Sequence, residues 1–197
     1  MTAKEKRFVK FVRNKCKEHG VKFDLRRTKV VTLTDNIKCS GYFDEEEPRL
    51  VVAKNRPDWL QILVHEYCHL TQWVENCSEW KNGCIGIIKV DEWLNGTDVK
   101  NIKKYLALSR DLELDNEKRS VALIKKWDLD IDVDEYTRKA NAYVLFYNYL
   151  YHTRRWSDPK NSPYTNQNII GKMSNKFNMR YNEMSKTYLE LFQKENV

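Results

Sequence analysis

The chain has 197 residues, of which 41% are apolar and 12% aromatic, and its formal net charge is +7. This composition excludes an intrinsically disordered chain, because such chains lack the large apolar side chains that build a core. A chain of this length can bury roughly 70% of its unfolded surface around one core, so we predict a single domain over residues 1–197. The basic excess is spread over most of the length and favours phosphate-bearing or acidic partners without identifying one.

The N-terminal part of the chain predicts one helix followed by short strands. Apolar residues at helical spacing predict an amphipathic helix over 3–19, which Gly20 ends. Runs typical of strands follow within 21–25, 30–33, 37–43 and 49–53, separated by turns at Asp35 and Asn36 and at 44–48. We predict a small, mostly antiparallel sheet of three or four strands.

The rest of the chain predicts helices. A helical pattern runs over about 57–75, with Pro57 in its first turn. Residues 76–96 contain three glycines and two cysteines, and we predict a long loop there with one helical turn at 91–94. Further helices are predicted within 97–127 with Thr97 as the cap and one break, and within 136–156, 165–177 and 181–194. The predicted fold class is α+β with a helical C-terminal half.

The sequence also predicts a location for the protein. No apolar run reaches the length of a secretory signal or of a membrane span, so we expect a cytoplasmic protein that makes no use of a membrane. The five cysteines are an odd number without regular spacing. A disulfide framework is therefore not expected, and we expect reduced thiols.

The helix over 57–75 contains the pattern His-Glu-Tyr-Cys-His. His65 and His69 are four residues apart, so their imidazoles lie on one helix face at a separation that suits one Zn²⁺ ion. Glu66 lies beside them, where a carboxylate can take a proton from a water bound to the metal. Two of the four histidines of the chain stand at this spacing, which favours a metal site over a chance arrangement of helix residues.

A catalytic zinc site needs a third protein ligand. Gln72 and Glu75 occupy the positions where a metzincin would have a glycine and a histidine, so the ligand must come from a later helix. Glu113 and Glu117 are four residues apart, and one could bind the metal while the other orients a ligand histidine. We prefer Glu113 as the ligand and keep Glu117 as the alternative. The remaining alternative is an ordinary exposed face whose carboxylates pair with Lys118 or Arg110.

This combination resembles the gluzincin metallopeptidases, in which His-Glu-x-x-His is completed by a glutamate on a later helix. Residues 109–119 are similar in particular to the catalytic core of HtpX-type enzymes, and compact zincins of the ImmA/IrrE type share the same skeleton. The resemblance covers residues 65–119 and implies a zincin-like fold, in which a small sheet precedes the active-site helix. The chain departs from the HtpX pattern at Asn116 and Glu117, and it lacks the transmembrane helices of that family.

The resemblance implies a zinc-dependent peptidase that acts on a peptide or protein substrate. Glu66 would be the general base, and Tyr143, Tyr147 or His152 would stabilise the oxyanion. Zincins hold an extended substrate along an edge strand, and residues 39–43 or 50–53 could serve here.

Two other functions remain open. One is a regulatory or binding module that keeps a zincin scaffold and uses its basic side chains to engage nucleic acid or an acidic partner. These side chains are Lys100, Lys103, Lys104, Lys125, Lys126, Arg154 and Arg155. The other is a SprT-like protease that acts on DNA-bound proteins. That type uses a third histidine as metal ligand, for which His152 is the candidate.

Overall fold

The computed structural model describes residues 1–33 and 37–197, so the predicted turn at Asp35 and Asn36 lies outside the described residues. The fold class is α+β, with a small sheet and a mostly helical C-terminal half, as predicted. The chain forms two compact units. The first comprises residues 1–77 and 122–131, and the second comprises residues 78–121 and 132–197. In the described part of the chain, no helix has both the length and the apolar character needed to cross a membrane.

The first unit contains a mixed sheet. Its strands are β1 (Lys22–Arg26), β2 (Val31–Thr32), β3 (Lys38–Cys39), β4 (Gly41–Asp44) and β5 (Arg49–Ala53). Three of them form a sheet in the order β1-β5-β4, while β2 and β3 form a separate antiparallel pair. The predicted "mostly antiparallel" sheet is wrong at one pairing, because β1 runs parallel to β5. A short turn connects β4 to β5, and these two strands are antiparallel. Strand β5 lies between β4 and β1 and is therefore the central strand.

Helix α1 (Ala3–Glu18) confirms the first predicted helix. It begins with a capping box, in which the Thr2 hydroxyl accepts from the backbone N–H of Glu5 and the Glu5 carboxylate accepts from the backbone N–H of Thr2. Its apolar stripe is buried, and Phe8 and Cys16 have no exposed surface. Gly20 follows with a φ of +71°, a left-handed conformation that suits a residue without a side chain.

Helix α2 (Trp59–Glu75) packs against β4 and β5 and begins two residues later than predicted. The carbonyl of Asp58 accepts the first helical hydrogen bond, from Ile62, so Pro57 lies before the helix. Asn76, the residue after the helix, has a left-handed φ of 52° and caps its C-terminus. Its buried face includes Leu60 and Leu63 as well as Glu66 and Gln72, two polar residues that a purely apolar core would not contain.

The second unit is helical. Its elements are α3 (Ser78–Leu94), α4 (Ile102–Trp127, of which residues 122–127 belong to the first unit), α5 (Val133–Thr153), α6 (Gln167–Ile170) and α7 (Lys186–Lys194). The helix α4 is continuous and begins at Ile102, so the predicted start at Thr97 and the predicted break are both wrong. The core of this unit is formed by large buried side chains from α5, α6 and α7, among them Phe146, Ile169 and Phe192.

The predicted loop over 76–96 is wrong for most of its length, because residues 78–94 form the 17-residue helix α3, and the helical turn predicted at 91–94 is the end of that helix. Its glycines are contact points between helices. A Cβ atom on Gly83 would lie 2.5 Å from Cβ of Leu112, and one on Gly86 would lie 2.8 Å from the backbone nitrogen of Ser109. The absence of side chains at these two positions lets α3 pack closely against α4.

The predicted helix over 165–177 is reduced to the four residues of α6. The backbone carbonyls beyond it are used by side chains of α5. Arg138 donates to the carbonyl of Met173 at 2.7 Å, and the amide of Asn141 donates to those of Ser174 at 2.7 Å and Lys176 at 3.1 Å. These tertiary hydrogen bonds replace the helical ones that a continued helix would make.

Candidate metal site

Helix α2 holds the two histidines of the His-Glu-x-x-His pattern in a geometry that suits a metal ion. The Nε2 atoms of His65 and His69 are 3.2 Å apart, and the two rings are nearly perpendicular, at 85°. Two nitrogen ligands at 2.0–2.1 Å from a tetrahedral zinc ion are separated by about 3.3 Å. The two donor atoms therefore already have the spacing that zinc requires.

Gln72 orients the second histidine, a role that the sequence analysis did not assign. Its Oε1 lies 2.9 Å from Nδ1 of His69, and the Gln72 side chain is fully buried. An amide oxygen can only accept, so this contact requires a proton on Nδ1, and in the neutral ring Nε2 then carries the lone pair. Such a partner fixes the tautomer of a metal-binding histidine. The sequence shows a polar residue three positions after the motif, but its burial, which identifies it as a partner of His69, is seen only in the folded helix.

Glu66 is 9% exposed and lies towards strands β3 and β4. A Cβ atom on Gly41, the first residue of β4, would lie 3.3 Å from Cγ of Glu66 and 2.6 Å from Cγ2 of Ile62. The pKa of the Cys39 thiol is raised, first by burial and second by the negative charge of Glu66. Both observations place the carboxyl side chain beside the edge strand of the sheet.

The two candidate carboxylates of α4 are both buried. Glu113 is 5% exposed and Glu117 is 6% exposed, so neither belongs to the exposed face considered as an alternative. The ligand atoms of His65, His69 and Glu113 all lie within 4.8 Å of one another, and this group could hold a metal ion. Glu117 is not in this group. Two imidazoles and one carboxylate form a donor set that zinc accepts.

A second group in the described residues has ligand atoms within the same distance, namely Cys77, Glu79 and Asp115. All three residues are partly exposed. Asp115 accepts from Nε of Arg119 at 2.6 Å, so a cation already neutralises one of the three donors. We therefore treat the histidine pair, and not this group, as the candidate metal site.

Two tyrosines of α5 lie near Glu113 within the second unit. The hydroxyl groups of Tyr143 and Tyr147 are 3.2 Å apart. The pKa of each is raised well above its usual value, first by burial and second by the charge of Glu113. Both hydroxyls therefore keep their protons at neutral pH and can donate hydrogen bonds.

His152, the third candidate for stabilising the oxyanion, lies in the last turn of α5 and is exposed. Its ring is 5.7 Å from that of Tyr151. It follows Tyr147 by five residues, so the two side chains leave the helix in directions about 140° apart. They therefore belong to different faces of α5, and the catalytic role of His152 stays a prediction.

The sheet topology distinguishes between the two segments considered for substrate binding. Strand β5 is paired on both sides, with β1 and with β4, so residues 50–53 have no free edge. Their assignment as the substrate strand is therefore wrong. Among the described strands, β4 pairs with β5 alone. The segment 39–43, which contains most of β4, is therefore the remaining candidate for the substrate-binding strand.

Comparison of the chain with models of known protein families, with curated proteins and with solved structures found no match. The class of the site is therefore inferred from its residues alone. These are the donors His65, His69 and Glu113, and the buried carboxylate of Glu66 between the two histidines in sequence.

Proposed function

We propose that the protein is a zinc-dependent peptidase of the gluzincin type. The observation that carries this proposal is the 3.2 Å separation of the two Nε2 atoms of His65 and His69, with an oxygen of Glu113 within 4.8 Å of them. In the proposal these three side chains would hold zinc and would leave room for a water ligand. Bound zinc would lower the pKa of a water ligand towards about 7 and would polarise the carbonyl of the scissile bond.

Glu66 is the general base in this proposal. Its carboxylate takes a proton from the attacking water and passes it to the nitrogen of the leaving amine, so the side chain ends the cycle in its starting state. Its position supports the role, since it follows His65 directly and lies beside β4. A peptide bound along that strand would place a carbonyl carbon near the base.

The substrate would be an extended peptide that adds along the side of β4 opposite β5. Backbone groups of Gly41 to Asp44 would bind it by main-chain hydrogen bonds, as in β-strand addition. Such binding depends little on side chains, so we expect unfolded proteins and flexible peptides to be cleaved in preference to folded ones.

Of Tyr147 and His152, Tyr147 is the better supported candidate for stabilising the developing oxyanion. Its hydroxyl keeps its proton because burial and the charge of Glu113 raise its pKa. A protonated donor in a buried setting can stabilise negative charge in the transition state without reorganisation. Tyr143, hydrogen-bonded to it, would hold its orientation.

The central test compares Glu66→Gln with Glu75→Gln, an exposed carboxylate on the same helix. We expect both variants to purify with one zinc per chain, measured by mass spectrometry of protein prepared without chelators. Hydrolysis of a quenched peptide should fall by about 10²–10⁴ in Glu66→Gln and stay unchanged in Glu75→Gln. A wild-type protein that holds no stoichiometric zinc would disprove the proposal.

A second pair of variants tests the third ligand. Glu113→Gln should lose most of the bound zinc, because the amide is a poor replacement for an anionic ligand. Glu117→Gln should retain zinc with weakened affinity if Glu117 orients a ligand histidine without binding the metal itself. Equal retention of zinc in both variants would remove Glu113 from the site.

A further inference from the structure

A surface of the second unit combines exposed aromatic rings with basic side chains. Nζ of Lys103, in the first turn of α4, lies 4.4 Å from the centre of the Tyr151 ring near the end of α5. Tyr151 is 42% exposed, and Trp156, which follows α5, is 41% exposed. Lys104 and Arg155 are exposed beside them in the chain. We call these five residues the α4–α5 basic surface.

The surface is held in a fixed shape by the residues beneath it. The ring of Trp156 packs edge to face against Phe146 at 5.4 Å and Tyr147 at 5.8 Å between ring centres. The guanidinium of Arg154 donates to the carbonyls of Trp93 and Thr97, each at 2.9 Å. These hydrogen bonds join the end of α5, which carries the exposed rings, to the end of α3.

The charge of the surface is not neutralised within the protein. Segments 97–104 and 151–160 contain six Lys and Arg residues but two Asp residues. No ion pair in the part of the chain that the structure describes engages Lys103, Lys104 or Arg155. Partly exposed lysines elsewhere in the unit do form such pairs, at 2.7 Å for Lys89 with Glu92 and 2.6 Å for Lys139 with Glu135. The cations of the surface therefore remain available to an external anion.

The basic residues singled out from the sequence divide into two sets. Those that belong to or flank this surface are Lys100, Lys103, Lys104, Arg154 and Arg155, whereas Lys125 and Lys126 lie in the last turn of α4. Five of the seven basic residues considered from the sequence therefore belong to or flank this surface.

We propose that the α4–α5 basic surface binds single-stranded nucleic acid, with bases stacked on Tyr151 and Trp156 and phosphates held by Lys103, Lys104 and Arg155. Flat exposed rings favour this occupant, because unpaired bases stack on aromatic side chains whereas the bases of a duplex are hidden. An acidic peptide would use the cations but would gain little from two exposed rings. This binding is independent of the proposed metal site.

The test measures binding of the full-length protein to a labelled oligothymidylate of about 12 nucleotides by fluorescence anisotropy. We expect Lys103→Ala combined with Lys104→Ala to weaken binding about tenfold at about 50 mM salt and to reduce the salt slope by about 1.4. The matched control is Lys6→Ala combined with Lys10→Ala on α1, which removes the same charge from exposed positions. An equal loss in the control would mean that only net charge matters and would overturn the proposal.

The aromatic contribution is tested separately. Tyr151→Ala should weaken binding about fivefold or more, while Tyr151→Phe keeps the ring and should bind like the wild type. Equal affinities of all three proteins would overturn the stacking role. Vesicles that contain phosphatidylserine and an acidic peptide are measured beside the oligonucleotide. Tighter binding to either of these than to the oligonucleotide would assign the surface to another partner and would also overturn the proposal.

Discussion

Replacement of Gln72 by leucine tests the orientation of the metal-binding histidines directly. The Oε1 atom of Gln72 lies 2.9 Å from Nδ1 of His69 and holds the ring proton there. Leucine has a similar volume but no acceptor. In Gln72→Leu, His69 can turn or take the other tautomer, in which a proton occupies the nitrogen that faces His65. The metal must then displace that proton and reorient the ring.

The magnitude follows from the type of contact that is lost. Removal of a partner that orients a metal-binding histidine typically costs 10–100-fold in metal affinity, which is about 1.4–2.8 kcal/mol. Because Gln72 is fully buried, we expect an effect near the upper end, since no water can enter to replace the acceptor. Gln72→Glu keeps an acceptor at the same position and makes it anionic, so it should bind zinc at least as well as the wild type.

The assay is competition for zinc against a chromophoric chelator, with the melting temperature measured for each apo protein. The comparison of Gln72→Leu with Gln72→Glu separates an orientation effect from a loss of fold. If the leucine variant melts like the wild type and binds zinc within twofold of it, the hydrogen bond to His69 has no role in metal binding and the reasoning is refuted.

Three further changes probe the surroundings of the site and the core. Gly41→Ala places a Cβ atom 2.6 Å from a neighbouring side chain, so it should lower stability by about 1–3 kcal/mol and reduce hydrolysis by displacing Glu66, with zinc content kept. Gly83→Ala should also destabilise by about 1–3 kcal/mol in chemical denaturation, because its Cβ would lie 2.5 Å from α4, whereas Asn82→Ala on the exposed face should change stability by less than about 0.5 kcal/mol. Burial raises the pKa of Cys16 from 9.0 to about 12, so this thiol stabilises the fold below pH 9 and loses that contribution as the pH rises. Between pH 8 and pH 10 the free energy of unfolding should fall by about 1.4 kcal/mol more in the wild type than in Cys16→Ala.

The sequence predicted the parts of the fold and of the site that depend on local spacing. The four-residue interval between His65 and His69 requires only that α2 be helical, and the helix forms as expected. The capped, amphipathic α1 is likewise determined by residues within its own length. Gln72 was missed for a different reason. A buried glutamine is recognised as a partner of His69 only when the burial of the helix face is known, and that depends on tertiary packing.

Sheet pairing depends on residues that are distant in the chain. The alternating pattern of residues 21–25 predicts a strand, but nothing within that segment states whether its partner runs parallel or antiparallel. Phe23 pairs with Leu50 of β5, which also forms a hairpin with β4, so β5 is the central strand of the folded sheet. The long-range pairing with β1 therefore closes the second edge of β5 and excludes residues 50–53 as a substrate strand.

Helix α3 shows why glycine content alone cannot identify a loop. Glycine costs about 1 kcal/mol relative to alanine in a helix interior, so Gly83 and Gly86 together make this segment a poor helix in isolation. In the folded unit the same two positions allow the backbone of α3 to approach Leu112 and Ser109 closely. Packing of neighbouring side chains over that length offsets the cost. The three-residue interval between the glycines was the relevant signal, because it places both on one helix face, and a helix–helix contact requires small residues on one face.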